Sequence, residues 1–340
     1  MTIETLLDEN RIYKASDTFK KNANYKNPEI YKTAEKDRLK FWEERARELT
    51  WQKPWSKVLE WKRPYAKWFI GGKLNASENC LDVHLQTHRK NKIALIWEGE
   101  MGEVKKITYA ELYEQVSKFA SVLKNHFGVK KGDRVTIYLP MIIESVVATL
   151  ACARIGAIHS VIFGGFSANS VKDRVLDSES KIIITADGSY RRGQIVPLKD
   201  IVDQALSSND TPVKNVIVVK HLGDKSNAKF TSGRDHDYAG LMQSAFPDCA
   251  PEPMDSEDVL FILYTSGTTG KPKGIVHTTG GYLTHAKYST HAVFDIKDSD
   301  SKNEEAIIVE DPGYSPDTPK EWWDRILNCR SKSKEEEKVK

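Results

Sequence analysis

From residue 92 onward, short apolar runs alternate with segments whose apolar residues return at helical spacing. Lys92-Ile93-Ala94-Leu95-Ile96-Trp97 predicts a strand. Thr108-Tyr109-Ala110-Glu111 has the form of a capping box, and Leu112, Val116, Phe119, Ala120 and Leu123 continue one helical face behind it. Arg134 to Leu139 is strand-like, Met141 to Ile155 is an apolar helix stopped by Gly156, and Ala157 to Phe163 is a strand that runs into Gly164-Gly165. Ser167 caps a helix extending to about Glu179. Lys181 to Thr185 predicts a strand, Asp187 to Gln194 a loop, Pro197 to Leu206 a helix and Val216 to Val219 a strand. Residues 221–257 are polar and rich in turn residues, a long connection before the strand Val259 to Tyr264. This rhythm predicts an α/β fold with parallel-rich sheets covered by helices.

The two ends differ from this body. Five of the eight tryptophans fall between Trp42 and Trp68. After Pro28, residues Tyr31, Ala34, Trp42, Ala46 and Leu49 lie near one helical face, and Pro54 and Pro64 then interrupt regular structure. Such a segment cannot readily form its own core. Residues 1–75 read as an extension laying its aromatics on a neighbouring domain, with a small helical subdomain as the alternative. At the other end, KDSDSKNEE (297–305) is almost wholly polar. Residues 306–328 offer one strand and one short helix, and the last ten residues form a charge run.

Composition narrows the function classes. Lys and Arg total 51 against 48 Asp and Glu, a net charge of +3 that gives no reason to expect a nucleic-acid partner. The longest apolar window, Met141 to Ile155, is broken by Glu144 and Arg154 and is too short to span a membrane. MTIETLLDEN has neither the basic start and apolar core of a secretory signal nor the composition of a transit peptide, so a cytoplasmic location is expected. Cys80, Cys152, Cys249 and Cys329 form no CxxC pair and read as ordinary thiols of a reducing compartment. His84 and His88 are four apart but lack the acidic partner of a zinc helix, and His277, His285 and His291 have no metal-ligand spacing, so no metal site is expected. His159, inside a strand pattern, reads as a core histidine.

The most informative chemistry is Tyr264-Thr265-Ser266-Gly267-Thr268-Thr269-Gly270-Lys271-Pro272-Lys273-Gly274. From Thr265 to Gly274 it holds four hydroxyls, three glycines and two lysines, directly after an apolar strand in a strand–helix context. Glycines let backbone N–H groups approach an anion, hydroxyls donate to it, and lysines add positive charge. The spacing is not Walker A, because Pro272 follows Lys271. A flexible turn is the plain alternative.

This run resembles the signature loop of the adenylate-forming enzymes, the acyl-CoA synthetase and luciferase superfamily. Lys53-Pro54-Trp55-Ser56-Lys57-Val58-Leu59, the segment Lys67 to Asn75, Asn79-Cys80-Leu81-Asp82, the segment Lys131 to Met141 and ACARIGAIHSVIFGGFSA at 151–168 narrow the likeness to the AMP-forming acetyl-CoA synthetases, over about residues 20–300. The resemblance implies an acetate–CoA ligase that makes acetyl-AMP from ATP and acetate, releases pyrophosphate, and passes the acetyl group to CoA. Its small-molecule substrates would be ATP with Mg2+, acetate and CoA. It implies a phosphate site of Thr265, Ser266, Gly267, Thr268, Thr269, Gly270, Lys271, Lys273 and Gly274, with Thr265 and Lys273 assisting pyrophosphate departure. It also implies a CoA site of Phe163, Gly164, Gly165, Arg191, Arg192, Gly193 and Gln194, although relatives often carry a basic residue where Gln194 stands.

The implied division is an acetyl-CoA-synthetase-type amino-terminal segment at 1–85, part of an AMP-binding domain at 86–300 and a divergent tail at 301–340. After Phe294-Asp295-Ile296-Lys297-Asp298-Ser299-Asp300 the family pattern falters. The expected architecture is therefore the amino-terminal part of the large domain, without the small carboxy-terminal domain and its adenylation lysine. Three readings stay open: a ligase by ancestry, a nucleotide- or CoA-binding module served by a complementing chain, or a shortened product that folds poorly.

Overall fold

The computed structural model describes residues 13–208, 210–265 and 272–298, together with the backbone at 308–309. After a short helix at Asp17–Asn22 come helices α1 (Glu29–Lys36) and α2 (Arg38–Ala46). The sequence pattern predicts one helix here. The break falls at Asp37, whose carboxylate accepts from Lys40 N at 2.9 Å and so caps a new helix instead of continuing the old one. A hairpin of β1 (Lys57–Lys62) and β2 (Tyr65–Ile70) and a short β3 (Lys73–Leu74) follow. Next come β4 (Ile93–Glu98), β5 (Val104–Thr108) and α3 (Tyr109–Ser121). The capping box forms as the sequence predicts: the Thr108 hydroxyl accepts from Glu111 N, and the Glu111 carboxylate accepts from Thr108 N. Leu112, Val116, Phe119 and Ala120 are the buried face of α3.

The body then alternates: β6 (Arg134–Tyr138), α4 (Ile143–Arg154), β7 (Ile158–Val161), α5 (Ala168–Ser178) and β8 (Ile182–Ala186). A hairpin of β9 (Ser189–Arg191) and β10 (Gln194–Val196) precedes α6 (Leu198–Leu206) and β11 (Asn215–Val219). The predicted loop at 187–194 is thus partly strand. The connection after β11 also carries structure, β12 (Asp235–Asp237), α7 (Tyr238–Ser244) and β13 (Met254–Asp255). Last come β14 (Val259–Thr265), β15 (Lys273–Thr278), α8 (Thr279–Ala292) and β16 (Ile308–Val309).

Seven strands make the main sheet in the order β12-β11-β8-β6-β7-β14-β15. All neighbours are parallel except β14 and β15. The central strands are apolar on both faces, as a sheet covered on both sides requires: Val135, Ile137, Ile183, Ile184, Val216, Ile217 and Val218 are all fully buried. A second sheet orders β16-β4-β5. Among the described residues no helix is long and apolar enough to cross a membrane.

The amino-terminal aromatics share this body's surface. Phe41 and Trp42 meet Tyr288 of α8 edge-on, with ring centroids 5.5 and 5.6 Å apart. Trp51, Trp55 and Phe69 form their own cluster. β3 pairs with β13, and the fully buried Asn75 amide donates to the carbonyls of Ala153, Arg154 and Glu252. Arg154, 1% exposed, reaches back from α4 to clasp Asp82 through two bonds of 2.8 and 2.9 Å. Burial opposes its charge, but the Asp82 carboxylate outweighs that and holds the guanidinium pKa up.

Candidate functional site

Parallel pairing sends β6, β7, β8 and β14 out of the same edge of the sheet. Residues following those strands therefore gather there, where open α/β sheets bind ligands. Phe163-Gly164-Gly165 follow β7, Arg191 lies just after β8, and the Ser/Thr/Gly run follows β14.

The first group is in contact. The Arg191 guanidinium sits over the Phe163 ring, 5.5 Å from its centroid. Phe163 is 52% exposed, so it offers a face outward. Both glycines stand at close approaches, to backbone at Gly164 and to the end of a flexible side chain at Gly165. A Cβ on Gly164 would lie 3.3 Å from the Leu139 carbonyl oxygen, and one on Gly165 would lie 2.5 Å from Arg191 Nη1. Arg191 pairs with Gln194, leaving Arg192-Gly193 as a two-residue hairpin turn. Both have positive φ, +53° and +71°, the geometry of a type I′ turn. The turn explains Gly193, whereas Arg192 takes up a left-handed φ that is costly for a non-glycine residue; Gly193 N donates to Glu100 from the β4–β5 connection.

Asp187 anchors this hairpin from below. Buried at the end of β8, its carboxylate accepts from the N–H groups of Gly188, His221 and Leu222, tying the exit of β8 to the chain beyond β11. Sequence reasoning missed Asp187, Glu100 and the fixing of Phe166 O by the Tyr138 hydroxyl at 2.8 Å, because each partner lies far along the chain.

The phosphate-type run occupies a different context from the one its sequence predicts. Its two ends belong to antiparallel strands, with Thr265 opposite Lys273 and Tyr264 opposite Gly274. An alternating strand–helix pattern hides this, because β15 is short and α8 begins immediately after it. Thr265, Lys273 and Gly274 are described; Ser266, Gly267, Thr268, Thr269, Gly270 and Lys271 lie outside the described residues. Gly274 lets the Tyr264 ring lie across the pair, since a Cβ there would come within 3.2 Å of Tyr264 Cε1.

The histidines take structural positions. The His84 ring packs on Tyr109. His159, on β7, stacks on Phe261, which stacks on His277. Burial pulls the His159 pKa down to about 4, and among the described residues its Nδ1 has no hydrogen-bond partner. Burial likewise pushes the Cys152 thiol up to about 12, which leaves it unreactive. Among the described residues no group of three or more His, Cys, Asp or Glu side chains is placed to hold a metal ion. Residues Trp42, Trp68, Phe69, His277, Tyr282 and His285 line a cavity of about 320 Å³ between the amino-terminal segment and α8.

Residues 81–307 match the family described as AMP-binding enzyme, and residues 28–80 match the acetyl-coenzyme A synthetase N-terminus. The acetyl-coenzyme A synthetase of Rubrobacter xylanophilus is 53% identical over 292 residues, which is 85% of this chain and 45% of the relative. That of Gemmatimonas aurantiaca is 51% identical over 302 residues, 88% of this chain and 46% of the relative. Among solved structures, the acetoacetyl-CoA synthetase of Streptomyces lividans superposes with a TM-score of 0.70 at 31% identity, covering 77% of this chain and 39% of that one. The chain thus spans less than half the length of these relatives.

Proposed function

The chain belongs to the AMP-binding enzyme family, and from that membership we propose that it supplies the phosphate- and CoA-handling wall of an acetate–CoA ligase. In that reaction an acetate oxygen attacks the α-phosphorus of ATP, pyrophosphate leaves, and the CoA thiol then attacks the acetyl carbonyl and displaces AMP. The observation that carries the proposal is that Phe163, Arg191 and Thr265, the first residue of the phosphate-type run, all lie at or just after the ends of parallel strands at one edge of one sheet. The relatives at 53% and 51% identity favour acetate as the acyl donor.

The roles follow from the chemistry of each group. Charge builds on the departing pyrophosphate, and the run's backbone N–H groups, its hydroxyls and Lys273 are the groups that stabilise it. Mg2+ enters with the phosphates of ATP as part of the substrate. Phe163 presents a ring face to adenine, and Arg191, held on that ring, is placed for the phosphates of CoA. The compartment proposed is the cytoplasm, in keeping with ordinary thiols.

In this proposal these residues supply one wall of an adenylation site, and we expect ligand binding by this chain alone with ligase turnover impaired. Acetate-dependent ATP–pyrophosphate exchange tests this, alongside thermal melting with pyrophosphate or CoA. The expected result is a raised melting point with each ligand and exchange at least ~10²-fold below that of the relatives, the scale set by losing even one preorganised donor. Robust exchange by this chain alone, verified by mass spectrometry, would overturn the division of labour. No melting shift with either ligand would overturn the binding assignment.

A further inference from the structure

The Phe163 turn and the end of β14 are joined by a continuous line of side chains that sequence reasoning did not single out. Phe163 meets Phe166 edge-on, with ring centroids 5.9 Å apart. The guanidinium of Arg174, on α5, lies 4.7 Å from the centre of the Phe166 ring and 5.6 Å from that of Tyr264. Tyr264 in turn donates its hydroxyl to Asp177, one turn farther along the same helix, at 2.5 Å. Tyr264 is the residue immediately before Thr265, where the phosphate-type run leaves β14.

Arg174 is unusual for a surface helix. It is 6% exposed, and among the described residues its guanidinium hydrogen-bonds one carbonyl, that of Ser170, and forms no ion pair with a carboxylate. Burying a guanidinium with so few partners is costly unless its flat faces are used. Here both neighbours are rings, one from each turn. The helix between them is fixed at its start by Ser167, whose hydroxyl accepts from Ser170 N.

We propose that Arg174 is a positioning residue that couples the two turns: clamped between Phe166 and Tyr264, it makes occupancy at one turn felt at the other. This rests on the reading above, in which the Phe163 turn takes CoA and the Thr265–Gly274 run takes pyrophosphate. The contact line is contiguous, and coupling between sites requires a reciprocal change in affinity.

The experiment is calorimetric titration of the whole chain with CoA, in the absence and presence of inorganic pyrophosphate with Mg2+, for the native protein and for Arg174→Met. Methionine keeps the aliphatic stem and loses the plane. The native protein is expected to change its CoA affinity about fivefold on saturation with pyrophosphate, the lower end of ordinary coupling. Arg174→Met is expected to bind each ligand alone and to lose the coupling, with Arg174→Lys also failing to restore it because the ammonium does not stack as a plane. No coupling in the native protein, or equal coupling in both proteins, would overturn the proposal while leaving the binding assignment standing. If the native protein binds neither ligand, the binding assignment falls, and amide hydrogen exchange then decides the positioning role. Faster exchange in Arg174→Met in both 163–167 and 264–274 supports it, and a change in one segment or neither overturns it. Should Arg174→Met fail to fold, Tyr264→Leu opens the clamp from the other side and is read in the same way.

Discussion

Protonating His159 should destabilise the fold, and the size of the effect follows from its surroundings. The ring is 7% exposed, stacks on Phe261 with centroids 5.4 Å apart, and among the described residues has no hydrogen-bond partner at Nδ1. Burial strips a charge there of solvation and so lowers its pKa from 6.5 to about 4. In the unfolded chain the imidazole takes up its proton near 6.5, whereas the folded chain resists until about 4. Between those values the unfolded state binds more protons. The stability that His159 confers is therefore complete above pH 6.5 and is lost as pH falls towards 4. By about pH 5 the loss amounts to about 2 kcal/mol. His84, His221 and His236 are also lowered by burial and act in the same direction, so the measurement must be a difference. Urea unfolding from about pH 7 to about pH 5 should show the native protein losing about 2 kcal/mol more than His159→Phe. Phenylalanine preserves the stack and leaves no ring nitrogen unpaired, so its stability at about pH 7 should match or exceed the native value. Parallel pH profiles for the two proteins would refute the reasoning.

Arg154→Met should cost about 3 kcal/mol in denaturant unfolding, at the lower end for a broken buried pair because the Asp82 side chain is 25% exposed; a loss within experimental error would show that Asp82 finds another partner. Gly165→Ala should leave the melting point nearly unchanged, because the Cβ meets the movable end of Arg191 rather than backbone, while weakening CoA binding by about 1–2 kcal/mol. Equal CoA affinity would detach Arg191 from that ligand.

The main sheet was legible because its strands are apolar on both faces and its helices carry their own punctuation. The Thr108–Glu111 capping box and the stop at Gly156, with φ of +72°, are local signals, and each appears where the sequence places it. The amino-terminal break was not, because Asp37 competes with the helix through its own side chain and the apolar pattern runs straight across it. The hairpin around the phosphate-type run was missed for another reason. The apolar residues of β15 are Ile275 and Val276, too few to separate a strand from the start of α8. The glycines of the Phe163 turn were visible as residue types, but their cause, the Leu139 carbonyl and Arg191, comes from other strands. Arg174 and Asp177 carried no signal, since their partner Tyr264 lies 87 residues beyond Asp177.

The central claim is that one sheet edge holds two separable ligand turns, and crossed titrations test it most directly. Native chain, Arg191→Ala and Lys273→Ala would each be titrated with CoA and, separately, with inorganic pyrophosphate and Mg2+. The account predicts a crossed pattern: Arg191→Ala loses about 1–3 kcal/mol of CoA affinity and keeps pyrophosphate, while Lys273→Ala loses a similar amount for pyrophosphate and keeps CoA. Native affinity for both ligands in both variants would contradict it.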